Sequence, residues 1–325
     1  MKQLPIIDLH QDLLLYVEHK DLFPNDAVVQ TGFGENERAG VRLVTATAFP
    51  HVDKKEHLDP KTNDIVEKGL VRYGQICEEN ASWRIVSNGQ DFTDSLDSNN
   101  PRGIILHVEG LNAFSGDAQA WEMLERWYEL GLRSMGIVWN LTNSLGGGTL
   151  DPVQGLTDLG RKVIEWLQKK DMIVDFAHMN EATFWDAVDI VKGPIVISHG
   201  NARAICDDPR NYTDEQLKRV ASSGGLVGVF FSKKFLVAGR DVVIDDVVRH
   251  INHLRDVMGI DHVALGTDFG GIVSGFPGEL KSIERLSLLW NALSEKGYDD
   301  ESIEKIVYKN TVRVIGSILR SKRPI

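Results

Sequence analysis

Residues 172–199 read MIVDFAHMNEATFWDAVDIVKGPIVISH. The stretch opens on a run, 172–178, that is apolar at consecutive rather than alternate positions. Such a run suits a strand buried on both faces of a parallel sheet. Residues 181–191 follow with the spacing of an amphipathic helix. Residues 194–199 are a second run of the first kind, again ending on a histidine. Strand, helix and strand at this spacing make one parallel unit with a helical crossover.

The same reading extends in both directions. Strands are predicted at 5–10, 41–49, 103–109, 133–140, 172–178, 194–199, 225–231 and 262–269. Helices are predicted at 118–130, 158–170, 181–191, 213–222 and 241–258, with 282–296 and 300–319 closing the chain. Thr157 and Thr213 stand where N-caps belong, and Asp158, Asp214 and Glu215 place acids in the first turns. Repeated alternation of this kind predicts an α/β fold, a (β/α)8 TIM-like barrel, with an open doubly wound sheet as the alternative. The connections 13–40 and 50–101 are too long for simple links. The second holds a helical stretch at 62–79 and a short apolar piece at 83–86. No Pro/Gly/Ser-rich linker flanks either, so both read as insertions after the first two strands, and residues 1–325 as a single domain.

Composition narrows the function. The 325 residues carry a formal net charge of −11, which argues against general nucleic-acid binding and against an anionic membrane surface. The two cysteines, Cys77 and Cys206, lie far apart and imply no disulfide framework, as expected in a reducing compartment. The apolar N-terminal run is broken by Asp8, His10 and Asp12, so it is neither a signal-peptide core nor a membrane span. The tail LRSKRPI has no lipid-anchor signal. The expected location is cytoplasmic.

The chemically useful side chains fall at predicted strand ends. His10 and Asp12 end the first strand and Glu109 the third. Trp139 and Asn140 end the fourth, His178 the fifth, His199 the sixth and Asp268 the eighth. Barrel enzymes build their sites at the C-terminal ends of the strands. A single strand-end histidine is more often a hydrogen-bonded core residue than a ligand. Six imidazole and carboxylate groups on one rim point instead to a catalytic site for zinc or a neighbouring transition metal. Six exceed the needs of one tetrahedral ion, so two ions bridged by a carboxylate, Glu109, are expected. His107 shares the phase of Glu109 and reads as a barrel-interior hydrogen bonder. Asp8 reads as a residue that orients a ligand from behind. His250 and His253 read as packing or surface residues, Gly146–Gly148 as a flexible loop, and Cys206 as inert. His19, His51 and His57 carry no assignment.

The ordered set of segments resembles the membrane (renal) dipeptidases, zinc-dependent barrel enzymes with bacterial members. The matching segments are Asp8-Leu9-His10-Gln11-Asp12, Val108-Glu109-Gly110, Gly155-Leu156-Thr157-Asp158-Leu159-Gly160, Val174-Asp175-Phe176-Ala177-His178, Ser198-His199-Gly200-Asn201-Ala202-Arg203, Pro209-Arg210-Asn211 and Gly266-Thr267-Asp268-Phe269. Asn310-Thr311-Val312-Arg313-Val314 resembles the family's final helix. The resemblance implies that His10 and Asp12 bind a first zinc, that His178 and His199 bind a second, and that Glu109 bridges them. It implies that Asp268 is the acid/base group and that Arg210 holds the substrate's C-terminal carboxylate, a task suited to a guanidinium fork. It also implies a homodimer.

Two positions depart from the family. Trp139 stands where the family carries a histidine held to polarise the scissile carbonyl; an indole N–H is a different donor, and Trp139 reads as a pocket wall beside Asn140. Gly270 follows Phe269 where the family usually has an aspartate. The expected function is hydrolysis of the amide bond of a dipeptide, including those with a C-terminal D-residue, by a hydroxide shared between two zinc ions. The alternatives are another binuclear amidase or lactonase, and a catalytically silent peptide-binding barrel.

Overall fold

A computed structural model describes residues 4–18, 29–52, 56–272 and 275–319. Among the described residues there are nine strands: β1 Ile6–Gln11, β2 Val41–Ala48, β3 Trp83–Ile85, β4 Arg102–Glu109, β5 Leu132–Gly136, β6 Ile173–Asp175, β7 Val196–Ile197, β8 Leu226–Val229 and β9 Val263–Leu265. They form one sheet in the order β1-β2-β4-β5-β6-β7-β8-β9, with β3 added beside β4. Apart from β3, sheet order is chain order, which is the strand order of the expected (β/α)8 barrel. The apolar piece at 83–86 is β3. It pairs in parallel with β4, Trp83 opposite Arg102 and Ile85 opposite Ile104.

The chain divides into two compact units, Met1–Val44 with Ile197–Val314, and Thr45–Val196 with Ile315–Ile325. In the first, β8 pairs in parallel with β9 through Val227–Val263 and Val229–Leu265. The residues after β9 run alongside β1: Asp268 N donates to His10 O and Asp12 N donates to Phe269 O. The helix Ile244–Met258 buries Val247, Val248, Ile251 and Leu254. Thr213 closes a capping box with Gln216 ahead of the helix Asp214–Ser222. His250 is a packing residue, as expected: Nδ1 accepts from Ala202 N and Nε2 faces Leu236 O. Burial pushes its pKa down to about 4. His253 pairs with Asp214 at 2.7 Å on a partly exposed face.

In the second unit, β3, β4, β5 and β6 pair in parallel, and Asp175 of β6 pairs with Val196. The helices Ala118–Glu129 and Asp158–Lys169 bury Leu124 and Trp127, and Val163, Ile164 and Leu167. Each such side chain contributes about 1.5–3 kcal/mol on removal from water. Thr157 caps the second of these helices by accepting from Gly160 N.

Several strands end before their apolar runs do. Within 172–178 the strand itself covers only Ile173–Asp175, and within 262–269 only Val263–Leu265. Further along, His178 has φ 64° and Asp268 has φ 62°, both left-handed, and past Asp268 the chain still bridges β1 through Phe269 and Gln11. The closing helix at 300–319 is interrupted by a π turn at Lys305–Lys309. The helices Phe33–Ala39 and Gly89–Leu96 have no counterpart in the sequence reading. His19 and most of the C-terminal tail lie outside the described residues. Among the described residues no helix is long and apolar enough to cross a membrane.

Candidate metal centre

In the first unit the site grows from β1, which is buried along its whole length. His10 and Asp12, two apart, meet with Nε2 and Oδ2 3.5 Å apart. The backbone bonds between the end of β1 and residues 268–269 bring Asp268 alongside, its Oδ1 3.7 Å from His10 Nε2. The His199 ring lies with its centroid 4.0 Å from that of His10. Its Nδ1 is 2.9 Å from Ser198 Oγ, and Gly200 N holds the chain here by donating to Gly228 O. One ligand atom each from His10, His199 and Asp268 lie within 4.8 Å of one another. The Asp268 side chain is 18% exposed, against 3% for Asp12 and none for His10. Two imidazoles and two carboxylates, mostly out of water, form a costly group by themselves and a suitable donor set for a divalent cation.

Two features hold this cluster in shape. Asp8 accepts from Thr267 N, Thr267 Oγ1, Gln11 Nε2 and His10 N, and so ties β1 to the segment bearing Asp268. Burial pushes the Asp8 carboxyl up, against the lowering effect of those hydrogen bonds. The expected orienting role fits this arrangement. The other feature is Gly270-Gly271. Gly270 has φ 92°, and a Cβ there would lie 2.4 Å from Asp12 O. A Cβ on Gly271 would lie 2.5 Å from Asp12 Oδ2 and 2.8 Å from Asp268 Oδ1. The departure at Gly270 is therefore a backbone requirement of this chain, since an aspartate at that position would collide with Asp12.

Arg210 belongs to the same unit. It is 3% exposed, and its Nη2 donates to His199 O at 2.9 Å. Its Nη1 is buried and has no hydrogen-bond partner among the described residues, and no carboxylate pairs with it there. The Phe230 ring packs 5.3 Å from the guanidinium carbon. Burying a guanidinium without a paired anion is costly.

In the second unit Glu109 is the last residue of β4, and its Oε1 lies 2.9 Å from His178 Nε2. The other nitrogen, Nδ1, is 2.8 Å from Asn140 Oδ1. Asn140 thus touches a proposed ligand rather than standing apart from it. His107 is fully buried, with Nδ1 2.9 Å from Ser134 Oγ and Nε2 3.6 Å from Asp175 Oδ2, in line with the interior role expected for it. Trp139 is part of an aromatic wall. The His57 ring stacks on it at 4.6 Å and 24°, and Phe49 lies 5.2 Å away. His57 is 3% exposed, and its Nδ1 is 3.5 Å from Asn112 Nδ2. The sequence reading left His57 unassigned, because nothing local marks a loop histidine as buried. The residues Gly146–Gly148 are not a free loop, contrary to expectation. A Cβ on Gly147 would lie 2.1 Å from Gln154 O, and one on Gly148 would lie 2.0 Å from Trp139 O. Burial pushes the Cys206 thiol pKa up, in keeping with an inert residue.

Strand order and donor set define a class, the metal-dependent α/β barrels. The chain belongs to the membrane dipeptidase family, peptidase family M19, whose model matches residues 1–324. It is 39% identical over 226 residues to an uncharacterized protein of the pqqA 5′ region of Klebsiella pneumoniae, covering 66% of this chain and 82% of that one. It is 31% identical over 261 residues to an uncharacterized dipeptidase of Schizosaccharomyces pombe, covering 77% of this chain but only 61% of the yeast protein. Its fold is that of a metallo peptidase from Rhodobacter sphaeroides, solved with a phosphinate mimic of the dipeptide L-Ala-D-Ala. The TM-score is 0.83 at 23% identity, over 97% of this chain and 99% of that one.

Proposed function

We propose that this chain is a metal-dependent dipeptidase with zinc as its ion, two per chain, acting as a single domain over residues 1–325. His10 and Asp12 would hold the first ion, His178 and His199 the second, and Glu109 would serve both. The observation that carries the substrate class is Arg210, a buried guanidinium with a donor to spare beside His199. It would take the free carboxylate at the C-terminus of a dipeptide. Family membership and the dipeptide mimic held by the Rhodobacter sphaeroides protein support the same reading.

When bound, the ions supply a water that ionises near neutral pH and a Lewis acid for the scissile carbonyl. Asp268, the cluster member with most solvent reach, accepts the proton of the attacking water and returns it to the departing amine. Asp8 holds His10 and the Asp268 segment in register for this. Trp139, backed by His57 and Phe49, forms a wall of the substrate pocket, with no imidazole at that position to polarise the carbonyl. A homodimer in the cytoplasm, acting on small peptides and on neither nucleic acid nor membrane, completes the proposal.

The test is hydrolysis by zinc-loaded protein of matched dipeptides, as free acids and as C-terminal amides, in L,L and L,D forms. Chelator-sensitive cleavage of the free acids alone is expected. Cleavage of acids and amides alike would remove Arg210 from substrate binding. Cleavage of neither would turn attention to other amides, to lactones, or to silent binding behind Trp139.

A further inference from the structure

The segment from Gly146 to Gln154 is bound on both sides. Leu150 N donates to Asn140 O at 2.8 Å, and Thr149 Oγ1 donates to Asn140 Oδ1 at 2.9 Å. On the other side Gly148 bridges Met179, Asn180 N donates to Gly147 O at 3.1 Å, and the Asn180 side chain donates to Asp151 O and Gln154 O. Between these anchors sits His178, whose left-handed φ of 64° is unfavourable for a residue with a Cβ. Asn140 Oδ1 accepts from Thr149 and lies 2.8 Å from His178 Nδ1.

We infer that Asn140 and Thr149, carried on this strap, are positioning residues that set the metal affinity of His178. The inference rests on the proposed reading of His178 as a ligand. An Nε2 lone pair aimed at a cation requires the ring proton on Nδ1, and that proton requires an acceptor. Asn140 Oδ1 is that acceptor, and the Thr149 hydroxyl holds the amide with its oxygen toward the ring. The strap also fixes the backbone that turns His178 out of the ladder after β6. The Asn140 amide oxygen is thereby engaged with His178, a contact beyond the substrate-binding role expected from sequence. Gly147 and Gly148 are needed because a Cβ on either would lie against Gln154 O or Trp139 O.

The experiment uses the full chain and zinc alone, titrated against a chromophoric chelator, with folding monitored by circular dichroism. Asn140→Leu is expected to weaken one of two zinc equivalents by about 10–100-fold and leave the other unchanged. Asn140→Asp, which keeps an acceptor oxygen, is expected to stay within a few-fold of wild type. Thr149→Val should fall between them. In zinc-loaded wild type, ¹⁵N-histidine NMR should place the His178 proton on Nδ1, a readout that needs no variant. A proton on Nε2, or an Asn140→Leu variant that binds both ions normally and only raises KM for dipeptides, overturns the inference while leaving the dipeptidase reading intact. A wild-type protein that takes up no zinc overturns both.

Discussion

The two units solve the same problem, holding an imidazole in place, by different means. In the first, His199 Nδ1 meets the hydroxyl of its own neighbour, Ser198, and the cluster is set by strand pairing at the end of β1. In the second, His178 meets an asparagine 38 positions away, held by a strap that is itself anchored at both ends. On the proposed reading the first unit also carries Asp268 as the acid/base group and Arg210 as the substrate's partner. On the same reading the second, through Glu109 and His178, supplies metal ligands. The Asp268 side chain is 18% exposed, while those of Glu109 and His178 are each 9% exposed.

That division breaks most visibly at Asp268. Asp268→Asn is expected to lower turnover by about 10³-fold, or about 4 kcal/mol, with metal content unchanged. Loss of metal along with turnover would make Asp268 primarily a ligand and blur the contrast between the units. Acid stability is the next test. His250, in the first unit, has a folded pKa near 4 against its ordinary 6.5. The unfolded chain therefore binds a proton that the native state does not. Stability is full above pH 6.5 and falls as pH drops towards 4, by on the order of 3 kcal/mol. Denaturant melts of wild type and His250→Gln should differ in slope over that window. Equal slopes would mean that another group governs the acid limb.

Arg210→Met should cost about 10²-fold in kcat/KM on free-acid dipeptides, about 2–3 kcal/mol, and nothing on the amides. The mildest test concerns the strap. Gly148→Ala forces a Cβ against Trp139 O and is expected to destabilise by about 2 kcal/mol, while Gly278→Ala, where nothing lies near, should change stability by less than about 1 kcal/mol. Similar midpoints for the two variants would mean that the strap yields easily and does not clamp His178.

Much of the fold was legible because buried parallel strands leave an unmistakable trace, as in IVDFA and PIVIS. Helix starts at Thr157 and Thr213 were legible because capping is local chemistry. Strand ends were not: the apolar runs continue to His178 and Phe269, while β6 and β9 close at Asp175 and Leu265. His57 was missed because its burial depends on Trp139, 82 positions away. The triglycine was misread as slack because glycine marks both free loops and close backbone approach.

The sequence alone determined the order of strands and helices, the family, and which imidazoles and carboxylates are available to a metal. These follow from periodicity and from residue identity, which are written along one dimension. Only the tertiary structure decided that Asn140 lies against His178, that Arg210 is buried with a donor unfilled, and that Gly270 leaves no room for an aspartate. Those facts depend on distances between segments far apart in the chain, and a distance exists only once the chain has folded.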